Sequence, residues 1–230
     1  MKEIELKSYI SDYRVEEAYK ILRTNIEFSG YDNRVIVLTS CQPNEGKSTT
    51  ALQLALSLSD AGEKVLFIDA DLRKSVLTGQ FKVNERIKGL SHFLSGKSEI
   101  PEILYKIKDR DISVIFAGVM PPNPAEILGK KRFKSLISSA RKVYDYIIID
   151  APPIGSVIDA AIIARVCDSA ILVIQSGATS KKFATSVKKQ MERSGCPILG
   201  VVLNKTDRKS NGYYGKYYGK QYGEYYGHKK

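Results

Sequence analysis

The sequence predicts an α/β protein of the phosphate-binding-loop type, a mostly parallel sheet covered by helices on both faces, with a low-complexity tail. Three observations predict it. Short apolar runs alternate with segments of helical periodicity along residues 14–203. The runs are apolar throughout, as strands buried on both faces are. Three of them lead straight into a Gly-Lys-Ser loop or into aspartates, where the active residues of such sheets gather.

Residues 1 to about 13 show no periodicity and read as an extended arm. From Arg14 to Phe28 an apolar stripe of Val15, Ala18, Ile21, Leu22 and Ile26 predicts a helix, with Glu17, Lys20 and Arg23 three apart on another face. That row serves either as salt bridges within the helix or as a contact with a second subunit. Val35–Ser40 reads as a strand, Ser48 to about Ala61 as a helix, and Lys64–Ile68 as a second buried strand. Residues 75–110 are weaker, with helical patches at Leu90–Leu94 and Glu102–Ile107. Ile112–Ala117 reads as a strand, and Pro121–Pro124 as the cap of a helix running to about Lys142. A strand over Tyr146–Ile149, a helix over Val157–Val166, a strand over Ala170–Gln175, a helix over Ser180–Arg193 and a strand over Ile198–Leu203 complete the order.

From Asp207 the pattern stops. Residues 207–230 lack aliphatic side chains and are rich in Gly and Tyr, a composition that cannot offset the entropy of folding. The division expected is therefore 1–206 as one nucleotide-binding domain and 207–230 as a flexible tail. No apolar run approaches the length of a membrane span. Cys41, Cys167 and Cys196 are scattered and have no metal-ligand spacing, as in a reducing cytosol. The net charge of +11 is concentrated towards the end, at Arg208, Lys209, Lys216, Lys220, Lys229 and Lys230. It forms no stripe on a recognition helix, so nucleic acid is not expected as a partner.

The chemistry is concentrated at the loop after the first buried strand. Gly46 lets the backbone approach a phosphate closely, Lys47 brings positive charge to it, and the Ser48 hydroxyl suits Mg²⁺. Asn44, Glu45 and Thr49 complete the cradle, and the following helix offers its N-terminal end to the same anion. Cys41 stands where the usual pattern has its first glycine. Its thiol is read as a small residue accepted in a tight loop in preference to a redox-sensitive group. Asp69 and Asp71 follow one apolar strand and Asp150 another, so three carboxylates meet the loop at strand ends. Asp150 has the position of a Walker-B metal ligand.

These stretches together resemble the bacterial tyrosine kinases of capsule and exopolysaccharide synthesis, in the form of a separate Gram-positive kinase subunit. The loop, VLFIDADLR and YIIIDAPP carry the resemblance, with EEAYKILRTNIEFS, PPNPAEILG and the terminal tyrosines. Two positions depart from the family pattern: Asn44 replaces a second loop glycine, and Lys20 replaces an arginine of an E-x-x-R-x-x-R helix.

The resemblance implies ATP and Mg²⁺ as cofactors, with Lys47 on the β- and γ-phosphates and Ser48, Asp71 and Asp150 around the metal. It makes Asp69 the candidate acceptor of the tyrosine proton, interchangeable with Asp71, and sets Arg73 to steady the phosphates or the incoming tyrosine. Tyr213, Tyr214, Tyr217, Tyr218, Tyr222, Tyr225 and Tyr226 become the phosphoacceptors, modified in trans. Glu17, Lys20 and Arg23 become the contact of a homo-oligomeric ring, an octamer in the family. A transmembrane adaptor, recruitment from the cytoplasm to the inner membrane face and a phosphotyrosine phosphatase are implied as well.

Two rivals share the fold. A ParA/MinD-like ATPase ordinarily carries an extra loop lysine where Gln42 stands, and its membrane-binding members end in an amphipathic helix. A GTP-binding switch is suggested by Asn204-Lys205-Thr206-Asp207, which resembles an N-K-x-D guanine motif and places Asn204 near the base. A tail that merely binds nucleic acid or glycan is the remaining alternative for the tyrosines.

Overall fold

The computed structural model describes residues 2–7, 12–30, 32–83 and 87–206. The first half contains β1 (Lys2–Leu6), α1 (Tyr13–Phe28), β2 (Val35–Ser40), α2 (Lys47–Asp60), β3 (Val65–Asp69), β4 (Phe81–Lys82), α3 (Leu90–Leu94), α4 (Ile100–Ile103), β5 (Leu104–Ile107) and β6 (Ile112–Ile115). The second contains α5 (Pro124–Leu128), α6 (Lys131–Ala140), β7 (Tyr146–Asp150), α7 (Asp159–Ala164), β8 (Ser169–Gln175), α8 (Lys181–Glu192) and β9 (Ile198–Asn204). The strands form one sheet in the order β4-β1-β5-β6-β3-β7-β2-β8-β9.

The predicted α/β architecture is the one observed, and period-two geometry explains it. Along β2, Val35 and Val37 enter one apolar core while Ile36 and Leu38 enter the other. β3 does the same, with Leu66 and Ile68 on one side and Val65 and Phe67 on the other. Every residue of both strands is buried. Such strands need helices above and below, supplied on one face by α1 and α2 and on the other by α5 to α8.

Three expectations need correction. The N-terminal arm contains a strand: β1 runs parallel to β5 and antiparallel to β4. It buries Ile4 alone, so its strand state comes from pairing with neighbours and leaves no apolar pattern to read. The helix expected over Glu102–Ile107 ends at Ile103, and Leu104–Ile107 joins β6 antiparallel. Tyr105 and Ile107 face inward there, an alternation too short to be distinguished from a helical patch. The long helix expected up to Lys142 is two helices, because Lys130 is extended at ψ 154° and restarts the chain as α6.

Candidate nucleotide and phosphoryl-transfer site

The loop between β2 and α2 owes its shape to two backbone positions. Gly46 has φ +90°, and a Cβ there would lie 2.0 Å from Nδ2 of Asn204. No other residue fits that position. Asn44 has φ 64°, in the left-handed region where asparagine is the best non-glycine occupant. The departure from glycine at this position is thus conformationally conservative. Cys41 is fully buried, and burial pushes its thiol up to about 11, which suits a packing role better than a reactive one.

Glu45 and Asn204 hold the loop in place from beneath. The buried Glu45 carboxylate accepts from Gln42 N (2.7 Å), Gln175 N (3.2 Å) and the Thr179 hydroxyl. Asn204 Nδ2 donates to the Glu45 carbonyl at 2.9 Å, and Lys205 Nζ donates to the Asn44 carbonyl at 2.6 Å. Both carboxylate and amide therefore tie the loop to β8 and β9. Thr49 lies exposed on the first turn of α2.

Lys47 and Ser48 open α2 and face the carboxylates. Lys47 Nζ lies 2.9 Å from Asp71, 3.4 Å from Asp150 and 3.1 Å from Ser48 Oγ. Burial works against the Lys47 charge, but Asp150 and then Asp71 outweigh it and raise its pKa. Asp69 and Asp150 are direct neighbours across β3 and β7, and both are buried. Burial, then the charge of Asp150, pushes the Asp69 carboxyl up to about 8. Asp150 is raised as well, chiefly by burial and against the pull of Lys47. Asp69 accepts from Asp71 N (3.1 Å) and from the Ser75 hydroxyl. Asp71 accepts from the backbone N–H groups of Arg73 (3.3 Å) and Lys74 (3.0 Å).

Other residues singled out in the sequence are placed less simply. Arg73 turns its guanidinium to Asp159, donating from Nε at 2.8 Å and from Nη2 at 2.9 Å. Asp159 is fully buried at the start of α7 and had no role in the sequence reading. Its one signal was a lone acid within the apolar stretch Val157–Ile163. Gly155 was also missed: a Cβ there would meet the Cys41 carbonyl at 2.1 Å, so the segment after β7 presses against the start of the loop. On α1, Lys20 pairs with Glu17 at 2.6 Å, but Arg23 donates to the Ser57 carbonyl of α2 at 2.6 Å. The row is split between an intrahelical pair and a helix-to-helix tie. The seven tail tyrosines lie outside the described residues.

A family profile described as "AAA domain" matches residues 33–193. The tyrosine-protein kinase CpsD of Streptococcus agalactiae is 45% identical over 208 residues, covering 88% of this chain and 91% of that protein. Among solved structures, the kinase domain of the Escherichia coli tyrosine kinase ETK superposes with a TM-score of 0.81 at 33% identity, covering 85% of this chain and 77% of the other. The septum site-determining protein MinD of Pyrococcus horikoshii, solved in complex with Mg-ADP, gives 0.65 at 26% identity over 77% of this chain and 72% of its own. A nucleotide loop with converging carboxylates, on a chain this similar to tyrosine-protein kinases along most of its length, shows that it belongs to the bacterial tyrosine-protein kinase family.

Proposed function

We propose that this chain transfers the γ-phosphate of ATP to tyrosines, first to its own cluster Tyr213–Tyr226, and that it does so in capsular or exopolysaccharide synthesis. The observation that carries the chemistry is the convergence of Lys47, Ser48, Asp71 and Asp150 beside the left-handed Gly46 loop. Ser48 and Asp150 are hard oxygen donors and suit Mg²⁺. Among the described residues no group of three or more His, Cys, Asp or Glu side chains is arranged to hold a metal by itself. That accords with an ion that takes one or two carboxylates and completes its shell with water and phosphate. When bound, Mg²⁺ neutralises charge on the phosphate oxygens. MinD, of related fold, holds Mg-ADP.

Lys47 exchanges its present partners for the phosphates. Of the two carboxylates proposed as base, Asp71 is the better placed: it lines an open cleft, whereas Asp69 is fully enclosed. Asp69 then supports Asp71 through its backbone N–H. A tyrosine hydroxyl, with a pKa of about 10, benefits from such a neighbour. Asn204 is proposed beside the base, where its Nδ2 donates to the Glu45 carbonyl and its oxygen can accept from the amino group of adenine. ATP is proposed over GTP because the other motifs resemble those of ATP users.

Residues 1–206 are proposed as the catalytic unit and 207–230 as its first substrate. Glu17 and Lys20 are proposed for a subunit contact within a ring, with a membrane adaptor recruiting the chain from the cytoplasm to the inner membrane face and a phosphatase reversing the modification. No helix among the described residues is long and apolar enough to cross a membrane. Seven phosphates would add roughly −10 to −14 charges and reverse the sign of the tail. The test is mass spectrometry of the full chain before and after ATP and Mg²⁺, with Lys47→Met as control. Phosphate on the tail tyrosines of the parent chain alone is expected; an unmodified tail in the presence of adaptor, metal and ATP would reduce the protein to a nucleotide-dependent switch of the MinD kind.

A further inference from the structure

The two helix layers of the molecule differ in charge. On one face, α1 holds three acidic and three basic residues, and α2 only Lys47 and Asp60. On the other, the stretch from Ile127 to Tyr144, which contains α6, has six basic residues and no acidic one. Helix α8 and the Arg193 that follows it add five basic residues against a single acid, Glu192, which is paired with Lys188. Residues 207–230 hold six basic and two acidic residues, so the greater part of the +11 net charge lies within residues 1–206. It gathers on these two helices.

Both helices present the charge outwards for the same reason. Phe133, Leu136, Ile137 and Ala140 of α6 and Val187 and Met191 of α8 are buried in one apolar core, which leaves the positions between them to solvent. Lys130, Lys131, Lys134 and Lys142 are exposed along α6. Lys181, Lys182, Lys189 and Arg193 are exposed along α8. Glu99, Asp168 and Glu192 are held by Arg132, Arg141 and Lys188, and among the described residues no acid pairs with any of these eight. Helix α7 packs against α8 and over β2, and Arg141 of the α6 end reaches the Val166 carbonyl just past α7. The three helices therefore form one continuous layer.

The side chains present narrow what this layer fits. No aromatic ring is exposed on α6 or α8, since Phe133 is buried and Phe183 half-buried, so a single strand of nucleic acid or a sugar finds no stacking platform. Both helices lie flat on the sheet, and neither projects as a helix that enters a DNA groove does. Seven of the eight unpaired charges are lysines, point charges without the planar fork that arginine brings to a single phosphate. Spread lysines on a flat layer suit a surface of many mobile anions. Val143 beside Lys142 and Ile158 before α7 are its exposed large apolar residues, too few to enter acyl chains.

We propose that the α6–α8 layer is a peripheral contact face that rests on anionic phospholipid headgroups, in addition to any protein that recruits the chain. Each lysine close to such a surface multiplies binding roughly fivefold, an attraction that fades within a Debye length of about 8 Å at physiological salt. Four in contact give several hundredfold, a salt-reversible attachment that a second anchor strengthens. The charge-balanced α1–α2 layer lacks this attraction, so one defined side settles towards the lipid. The nucleotide loop opens at the C-terminal edge of the sheet, beside this layer and not beneath it, and stays accessible.

The test is co-sedimentation of the full chain, without adaptor or nucleotide, with vesicles of phosphatidylglycerol and phosphatidylcholine in a one-to-two ratio and with phosphatidylcholine alone. The variant combining Lys131→Gln, Lys134→Gln, Lys182→Gln and Lys189→Gln is expected to lower partitioning onto the anionic vesicles by about two orders of magnitude. A control removes the same charge elsewhere through Lys82→Gln, Lys88→Gln, Lys106→Gln and Lys108→Gln, surface lysines that are each paired with an acid, and is expected to bind as the parent does. All eight positions lie at the surface, and thermal denaturation checks that both variants fold. The basic residues of 207–230 are common to both and cannot produce a difference between them. Equal losses in the two variants assign the binding to net charge and overturn the face. Undiminished partitioning of the first variant, or equal partitioning of the parent onto both vesicle types, overturns it too. Duplex DNA or a soluble anionic polysaccharide held by the same four lysines more tightly than the vesicles overturns lipid as the partner. None of these readouts involves tyrosine labelling, so failure here is distinct from failure of the kinase reading.

Discussion

Arg73 and Asp159 form a two-point ion pair, Nε at 2.8 Å and Nη2 at 2.9 Å, that ties the turn after β3 to the first residue of α7. The same turn presents the backbone N–H groups of Arg73 and Lys74 to the Asp71 carboxylate. A contact remote from the loop thus sets the orientation of a proposed base. The pair is also asymmetric, since Asp159 is fully buried whereas the Arg73 side chain keeps 35% of its exposure.

That asymmetry predicts unequal costs. Arg73→Ala strands a buried carboxylate and is expected to cost about 3–5 kcal/mol in urea denaturation. Asp159→Asn leaves Arg73 able to reach water and is expected to cost about 1 kcal/mol. Asp159→Asn should nonetheless lower kcat for tyrosine labelling by about tenfold, with the KM for ATP little changed, because Asp71 loses its fixed orientation. Equal stability losses for the two variants would contradict this account.

Lys47 is the cation that the carboxylates share, at 2.9 Å from Asp71 and 3.4 Å from Asp150. Lys47→Met should abolish tail labelling. It should also destabilise the nucleotide-free chain by about 3 kcal/mol, since the acids lose their counter-charge in a buried site. Thermal denaturation at neutral pH without nucleotide checks the second outcome independently of the first.

The loop positions separate two kinds of constraint. Gly46→Ala meets both a left-handed backbone and Asn204, so it should lose nucleotide binding. Adding Asn204→Ala removes the collision and should restore part of that binding. Asn44→Gly should change stability by less than about 1 kcal/mol, whereas Asn44→Val, which is β-branched at φ 64°, should cost about 1–2 kcal/mol. Isothermal titration with Mg-ATP and urea denaturation distinguish these effects.

Asp69 makes stability depend on pH. Burial, followed by Asp150, raises its carboxyl from 3.8 to about 8, so the folded chain keeps a proton that the unfolded chain has released. The folded state binds more protons over that range, and stability falls as pH rises through it. Asp69→Asn should flatten the decline between pH 5 and pH 7.5 in the nucleotide-free chain. Urea denaturation at those two values measures it, and an unchanged slope would assign the dependence to other groups.

Much of the fold was legible locally. Val35–Leu38, Val65–Ile68 and Tyr146–Ile149 are uninterrupted apolar runs within their strands, and burial on both faces leaves no other use for them. Gly46-Lys47-Ser48 and the aspartates were readable for a similar reason: the chemistry of each is carried by neighbours a few residues apart. β1 and β5 were not readable. β1 is a strand because β4 and β5 pair with it, and a short polar stretch carries no mark of partners 75 to 103 residues away, whereas β5 pairs with the nearby β6 and its four-residue alternation is too short to tell from a helical patch.

The amino-acid order alone specifies a mostly parallel sheet, a phosphate loop, the acids that face it and a tyrosine-rich C-terminal stretch of sequence. Folding in three dimensions specifies how those acids are held: Arg73 turned to Asp159, Asn204 spent on the Glu45 carbonyl, Arg23 tied to Ser57, and Asp71 open to a cleft from which Asp69 is shut out. The division follows from range. Propensity and periodicity act between residues close along the chain, whereas the partner of a buried charge is chosen by whichever distant segment the packing brings within hydrogen-bonding distance.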